Sequence, residues 1–156
     1  MTEKEAIQRL SALCARGEHC SHEMMEKMRR WELAPEEQAR VMEYLVGSKF
    51  VDDERYARAF VADKIKYGKW GRRKIEQALW QKRIDSDIQR RVLDEAVEDD
   101  YIAVLTQLLQ SKRRSIKAAS SYEMNMKLTR FALGRGFTYD QISRCLSEES
   151  EGNYKL

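Results

Sequence analysis

Ten lysines and arginines fall between positions 64 and 91, at Lys64, Lys66, Lys69, Arg72, Arg73, Lys74, Lys82, Arg83, Arg90 and Arg91, interleaved with Tyr67, Trp70 and Trp80. Cations spaced among aromatic rings grip phosphates, acidic protein surfaces or exposed bases. The stretch 64–91 sums to +7, whereas the whole chain carries only +3. A second basic knot follows at Lys112, Arg113, Arg114 and Lys117. If a helix buries Ile75 and Leu79, then Arg73, Gln77 and Trp80 share the opposite face, because spacings of four and three residues keep them in line. A tryptophan beside arginine on an outward face is the make-up of a binding hot spot. The competing reading packs Trp80 against a neighbouring repeat and leaves the lysines to solvate the surface.

Other chemistry-bearing residues point elsewhere. Cys14, His19, Cys20 and His22 lie within nine residues, but without the paired spacing of a zinc loop, so no metal site is expected. Asp52 and Asp53 stand where a helix N-terminus favours carboxylates, and Asp63 is two to three turns away. No phosphate-cradling glycine loop and no nucleophile–base constellation stands out. The chain therefore reads as a binding protein, not an enzyme, with no catalytic residue and no cofactor.

The elements that position these residues are helical. Hydrophobic residues make up 42% of the chain and charged ones 35%, with one proline and seven glycines, which describes a helix-rich chain. Thr2 with Glu5, Ser120 with Glu123 and Thr138 with Gln141 have capping-box spacing. Ser21 and Asp85 are further candidate caps, and Pro35 suits the first turn of a helix running through Val46. Residues 111–121 lack an apolar period and read as a basic loop.

Apolar positions recur with a lag of 51. Met24, Met28, Leu33, Val41, Met42, Leu45 and Val46 are matched by Ile75, Leu79, Ile84, Val92, Leu93, Ala96 and Val97. A looser third copy runs through Met124, Leu128, Phe131, Phe137, Ile142, Cys145 and Leu146. Units of roughly 50 residues are near the lower limit for an independent core, so neighbouring copies should share one. The expected architecture is all-α: three tandem three-helix, helix-turn-helix-like repeats at 1–49, 50–98 and 99–147, with a frayed tail at 148–156. No apolar run is long enough to cross a bilayer and no leader is evident at Met1 to Leu10, so a cytoplasmic, membrane-free monomer is expected. Three cysteines form no even disulfide framework, which agrees with a reducing compartment.

The run Phe50-Val51-Asp52-Asp53-Glu54-Arg55-Tyr56-Ala57-Arg58-Ala59-Phe60, then Gly68-Lys69-Trp70-Gly71-Arg72-Arg73-Lys74-Ile75, then Leu79-Trp80-Gln81-Lys82-Arg83-Ile84 resembles the bacterial RecX family of recombination regulators. The likeness extends upstream through Ser21 to Leu33 and downstream through Arg135-Gly136-Phe137-Thr138-Tyr139. Arg72 departs from a frequent proline and Arg83 from a frequent glycine; Arg83 would be strained if its turn needs a positive φ. The resemblance implies an elongated, curved array lodged in the helical groove of the RecA filament on DNA. It also implies modulation, usually inhibition, of RecA's ATPase, strand exchange and co-protease activity. The residues expected to make that contact are Lys69, Arg72, Arg73, Lys74, Trp80, Lys82 and Arg83, flanked by Lys112, Arg113 and Arg114, with DNA contact inside the filament. The alternative is a direct DNA-binding protein that places the 71–82 or 85–97 helix in the major groove.

Overall fold

The computed structural model describes the backbone of residues 1–154 and the side chains of residues 1–148. Among the described residues there are nine helices and no strand: α1 Glu3–Arg16, α2 Ser21–Arg30, α3 Pro35–Gly47, α4 Asp53–Lys66, α5 Arg72–Gln81, α6 Ser86–Glu95, α7 Glu98–Ser115, α8 Ser121–Gly134 and α9 Tyr139–Tyr154. The chain is an all-α helical repeat. The tail expected from 148 lies largely outside the described side chains, and 155–156 lie outside the description altogether.

Helix starts follow their caps. Thr2 Oγ1 accepts from the Glu5 N–H at 3.1 Å, and Ser120 Oγ from Glu123 at 3.1 Å. Thr138 and Gln141 close a reciprocal pair at 3.1 and 2.9 Å. One expected cap moves by a residue: Cys20, not Ser21, occupies the N-cap of α2, and its N–H donates to Glu23 Oε1 at 3.1 Å. Ser21 instead donates from its N–H and its hydroxyl to Asp53 Oδ1, at 2.7 and 3.0 Å.

The join between the second and third helix of each triplet is one corner built three times. Leu33 N–H donates to Met28 O, Ile84 to Leu79 O and Phe137 to Ala132 O, each at 3.2 Å. This bond spans the helix end and needs one left-handed residue before the apolar one. Glu32 (φ 58°), Arg83 (φ 53°) and Gly136 (φ 95°) supply it. Matching the corners places Phe137 opposite Ile84, a lag of 53. The sequence pattern had registered the third copy about one turn early, because α8 is 14 residues long against ten for α2 and α5. The amides of Gln38 and Gln89, also 51 apart, both donate to the corner carbonyl, of Leu33 and Ile84 respectively, at 2.8 Å.

Packing divides the chain into two compact units: residues 1–60 with 79–92, and residues 61–78 with 93–156. In the first, Ala6, Leu10, Met24, Met28, Leu33, Val41, Leu45 and Val51 form one buried cluster. Two ion pairs repeat with the core lag of 51: Arg40 Nε meets Glu3 Oε1 at 2.8 Å and Arg91 Nε meets Glu54 Oε1 at 2.6 Å. In the second unit the fully buried side chains include Ile75, Leu105, Leu109, Leu128, Phe137 and Ile142. The backbone of Gly71 lies against Gly136, and its N–H donates to Arg135 O at 2.8 Å. The expected basic loop at 111–121 is shorter than predicted. α7 continues to Ser115, where Lys112, Arg113 and Arg114 place positive charge on the last turn, the end a helix dipole favours.

Candidate functional site

Trp80 resolves in favour of solvent. It is 74% exposed, near the end of α5, where Arg73, Gln77, Trp80 and Gln81 are the exposed positions along the helix. In the first unit Trp80 and Arg83 line a groove of about 450 Å³ whose floor is Ile84 and Gln89 and whose far lip is Ser86. The corner explains the placement. The left-handed residue at 83 turns the chain back so that Ile84 goes inward, which leaves Arg83 outward beside the indole. The guanidinium of Arg83 has no ion pair among the described residues.

Lys82 is more constrained. It is half-buried, with Nζ 3.8 Å from Glu23 Oε2. Burial raises the Glu23 carboxyl, but the Cys20 N–H and thiol and the Lys82 charge outweigh it and hold the group below the usual carboxylate range. The cysteine–histidine cluster is likewise occupied: His22 Nε2 is 3.1 Å from Glu26 Oε1, and Cys14 Sγ is 3.9 Å from Met24 Sδ.

In the second unit the predicted cations separate into distinct environments. Arg72 bridges Glu76 and Asp94, each at 2.8 Å. Lys74 Nζ sits 4.5 Å from the Trp70 ring centroid, and Lys64 Nζ lies 4.8 Å from the same ring. Such ammonium–indole contacts contribute about 0.5–1 kcal/mol at exposed sites. Lys69, with φ 55°, directs its ammonium to Lys66 O and to Gln107 on α7, at 3.3 and 3.5 Å. Lys112 Nζ lies 4.6 Å from the Phe131 centroid. Arg73 and Arg114 are exposed and have no ion pair among the described residues, while Arg113 is half-buried.

An apolar surface escaped sequence reading. Tyr122, Met126, Leu133 and Tyr139 are all exposed and line a groove of about 740 Å³ between α8 and α9. Met126, Arg130 and Leu133 have the same four-and-three spacing as Arg73, Gln77 and Trp80, and that spacing was the available signal. The wrong register of the third copy hid it.

A family model described as the second three-helix domain of RecX matches residues 52–93, and one described as its third three-helix domain matches residues 98–146. A protein named Regulatory protein RecX from Vibrio campbellii is 32% identical over 152 residues, covering 96% of this chain and 92% of that one. The chain belongs to the RecX family. A Regulatory protein RecX from Clostridium acetobutylicum is 30% identical over 130 residues, 81% of this chain and 60% of that one. Among solved structures, RecX from Lactobacillus salivarius superposes with a TM-score of 0.82 at 19% identity, covering 94% of this chain and 95% of that one. A second, titled regulatory protein RecX, gives 0.84 at 17% identity over 92% of this chain and 72% of that one. At those identities the structural likeness establishes the shared fold. The family is one of regulatory proteins, and no described helix is long and apolar enough to cross a membrane.

Proposed function

We propose that this protein binds the RecA filament on DNA and inhibits its ATP hydrolysis, strand exchange and co-protease activity, with the Trp80–Arg83 groove as the central contact. The observation that carries the reading is the indole left 74% exposed beside an arginine without an ion pair among the described residues. Burying a large aromatic and pairing a free guanidinium are the two commonest sources of concentrated binding energy at an interface. Arg73 adds a second exposed cation along the same helix. Arg72, Lys74 and Lys82 act chiefly by holding the surrounding backbone, since each already has partners. Lys69, Lys112, Arg113 and Arg114, in the second unit, are proposed as further contacts, and DNA inside the filament is within the chemistry of such cations.

A tandem DNA reader fits less well. A helix-turn-helix array reading bases would present comparable donors on the second helix of each triplet. The equivalent positions differ instead: half-buried His22 and Glu26 with exposed Arg29 on α2, exposed Arg73, Gln77 and Trp80 on α5, and exposed Met126, Arg130 and Leu133 on α8.

The test is RecA-dependent ATP hydrolysis on single-stranded DNA, titrated with the wild-type protein and with the double variant Trp80→Ala, Arg83→Glu. Inhibition is expected to need at least tenfold more of the variant, with unchanged helical circular dichroism. Equal inhibition by the two proteins would refute the assignment of the contact. Absence of any effect by the wild type would refute the function itself. Gel shifts on naked duplex and on RecA-coated DNA separate the two readings.

A further inference from the structure

The second unit holds another concavity, of about 600 Å³, whose wall includes Arg72 and Arg73 but neither Trp80 nor Arg83. Tyr101 forms part of its wall. That residue is only 2% exposed, and its hydroxyl has no hydrogen-bond partner among the described residues. An orphaned buried hydroxyl in a native fold calls for an explanation, and a missing ligand is one. The charges acting on this hydroxyl are Arg72, Glu76, Glu98 and Asp100, and the first three line the same concavity as Tyr101 itself. Burial, the largest influence, raises the group above its ordinary value, which keeps the hydroxyl protonated and able to donate.

Three helix N-termini meet at this place. Arg72 and Arg73 open α5, Glu98 opens α7, and Thr138 with Asp140 and Gln141 begins α9. Each contributes a partial positive charge toward the cavity. Arg144, one turn further along α9, adds a guanidinium that pairs with the exposed Glu148 at 3.3 Å. The acidic side chains of the wall are largely engaged: Glu76 by Arg72, and Glu98 by the Gln141 amide at 3.0 Å. Asp140 also lines the wall and has no ion pair among the described residues.

We infer that this pocket binds a small phosphate-bearing ligand, held by Arg73, Arg144 and the Tyr101 hydroxyl. Donors arriving from three separate helices suit a tetrahedral group with several terminal oxygens. A planar carboxylate would be satisfied by one guanidinium fork. The volume is in the range of small-molecule sites and accommodates a mononucleotide or a smaller ester. The site shares Arg73 with the proposed filament contact but neither Trp80 nor Arg83, so Tyr101→Phe and Arg83→Gln separate the two assignments.

Nitrogen-15 NMR titrations of the whole protein with inorganic phosphate, with adenosine monophosphate and with a sugar phosphate, at constant ionic strength, test the inference and identify the source of the group. Saturable shifts at the amides of Arg73, Tyr101 and Gln141 are expected with at least one of the three. Tyr101→Phe, which keeps the ring, and Arg73→Gln should each weaken binding roughly tenfold or more. Asp140→Asn should tighten it, and Arg83→Gln should leave it unchanged. No saturable shift with any of the three phosphates would overturn the inference, as would acetate binding equally tightly. Should Tyr101→Phe fail to fold, Arg73→Gln decides, and wild-type affinity in that variant would overturn the assignment.

Discussion

Gly71 and Gly136 meet backbone to backbone: a Cβ on Gly71 would collide with the carbonyl carbon and oxygen of Gly136 and with the nitrogen of Phe137. The start of α5 is thereby seated on the corner between α8 and α9, where Arg73 N–H donates to Gly136 O at 3.2 Å. Only a residue without a side chain permits that approach. Gly71→Ala is expected to destabilise the fold by about 1–3 kcal/mol, the range for overpacking a tight contact. Gly47→Ala, where nothing lies within 4 Å of the added carbon, should instead stabilise by roughly 0.5 kcal/mol. Urea denaturation of both variants checks the contrast, and similar behaviour of the two would contradict the seating.

Arg83 adopts φ 53°, a conformation that costs a branched backbone roughly 1 kcal/mol and costs glycine nothing. Arg83→Gly should therefore raise the unfolding free energy by about 0.5–1 kcal/mol while weakening RecA inhibition. A thermal melt and an ATPase titration on the same sample read the two effects. The arginine would have no partner-binding role if inhibition were unaffected.

Gln89 is buried and its amide satisfies Ile84 O, as Gln38 does for Leu33 O. Removing the amide strands a carbonyl in the interior, at a cost of about 1–3 kcal/mol. Gln89→Ala should fall in that range by chemical denaturation. A loss below a few tenths would mean that solvent replaces the bond.

Burial pushes the Cys20 thiol up to about 12, from 9.0. A folded-state value raised above the unfolded one means that the folded chain holds its proton more tightly. The stability this provides is complete below about pH 9 and is lost as pH rises toward 12. Unfolding free energy measured from pH 8 to 11 should decline, and Cys20→Ala should flatten the decline. At pH 8 the native thiol should react with iodoacetamide far more slowly than in urea. Equal alkylation rates in the two conditions would show that the thiol is not sequestered.

Legibility in the sequence followed the physics of each signal. Six of the seven lag-51 pairs have both members at least partly buried, because burial and helical period act together on the same residues. The seventh, Val46 and Val97, is apolar on both sides yet exposed at 51 and 57%, so matching hydropathy alone did not guarantee core. The third copy was read a turn out of register, since a longer α8 shifts the lag and only backbone hydrogen bonding reveals the shift. Among the site residues, the outward face of α5 was readable from spacing. That Arg72 was already engaged by Asp94 was not, because Asp94 lies on another helix and approaches it through tertiary folding. Nothing in the sequence marks the Tyr101 hydroxyl as unpartnered.

The bridges Glu3–Arg40 and Glu54–Arg91 join equivalent helices at an identical offset, although neither lies in a core that would have compelled it. A surface cross-link copied together with its scaffold is what a doubled ancestral segment leaves behind. The outer side of the middle helix differs between the two segments, with Arg29 in one answering to Trp80 in the other. The two segments thus kept a common chassis while their outward faces came to differ.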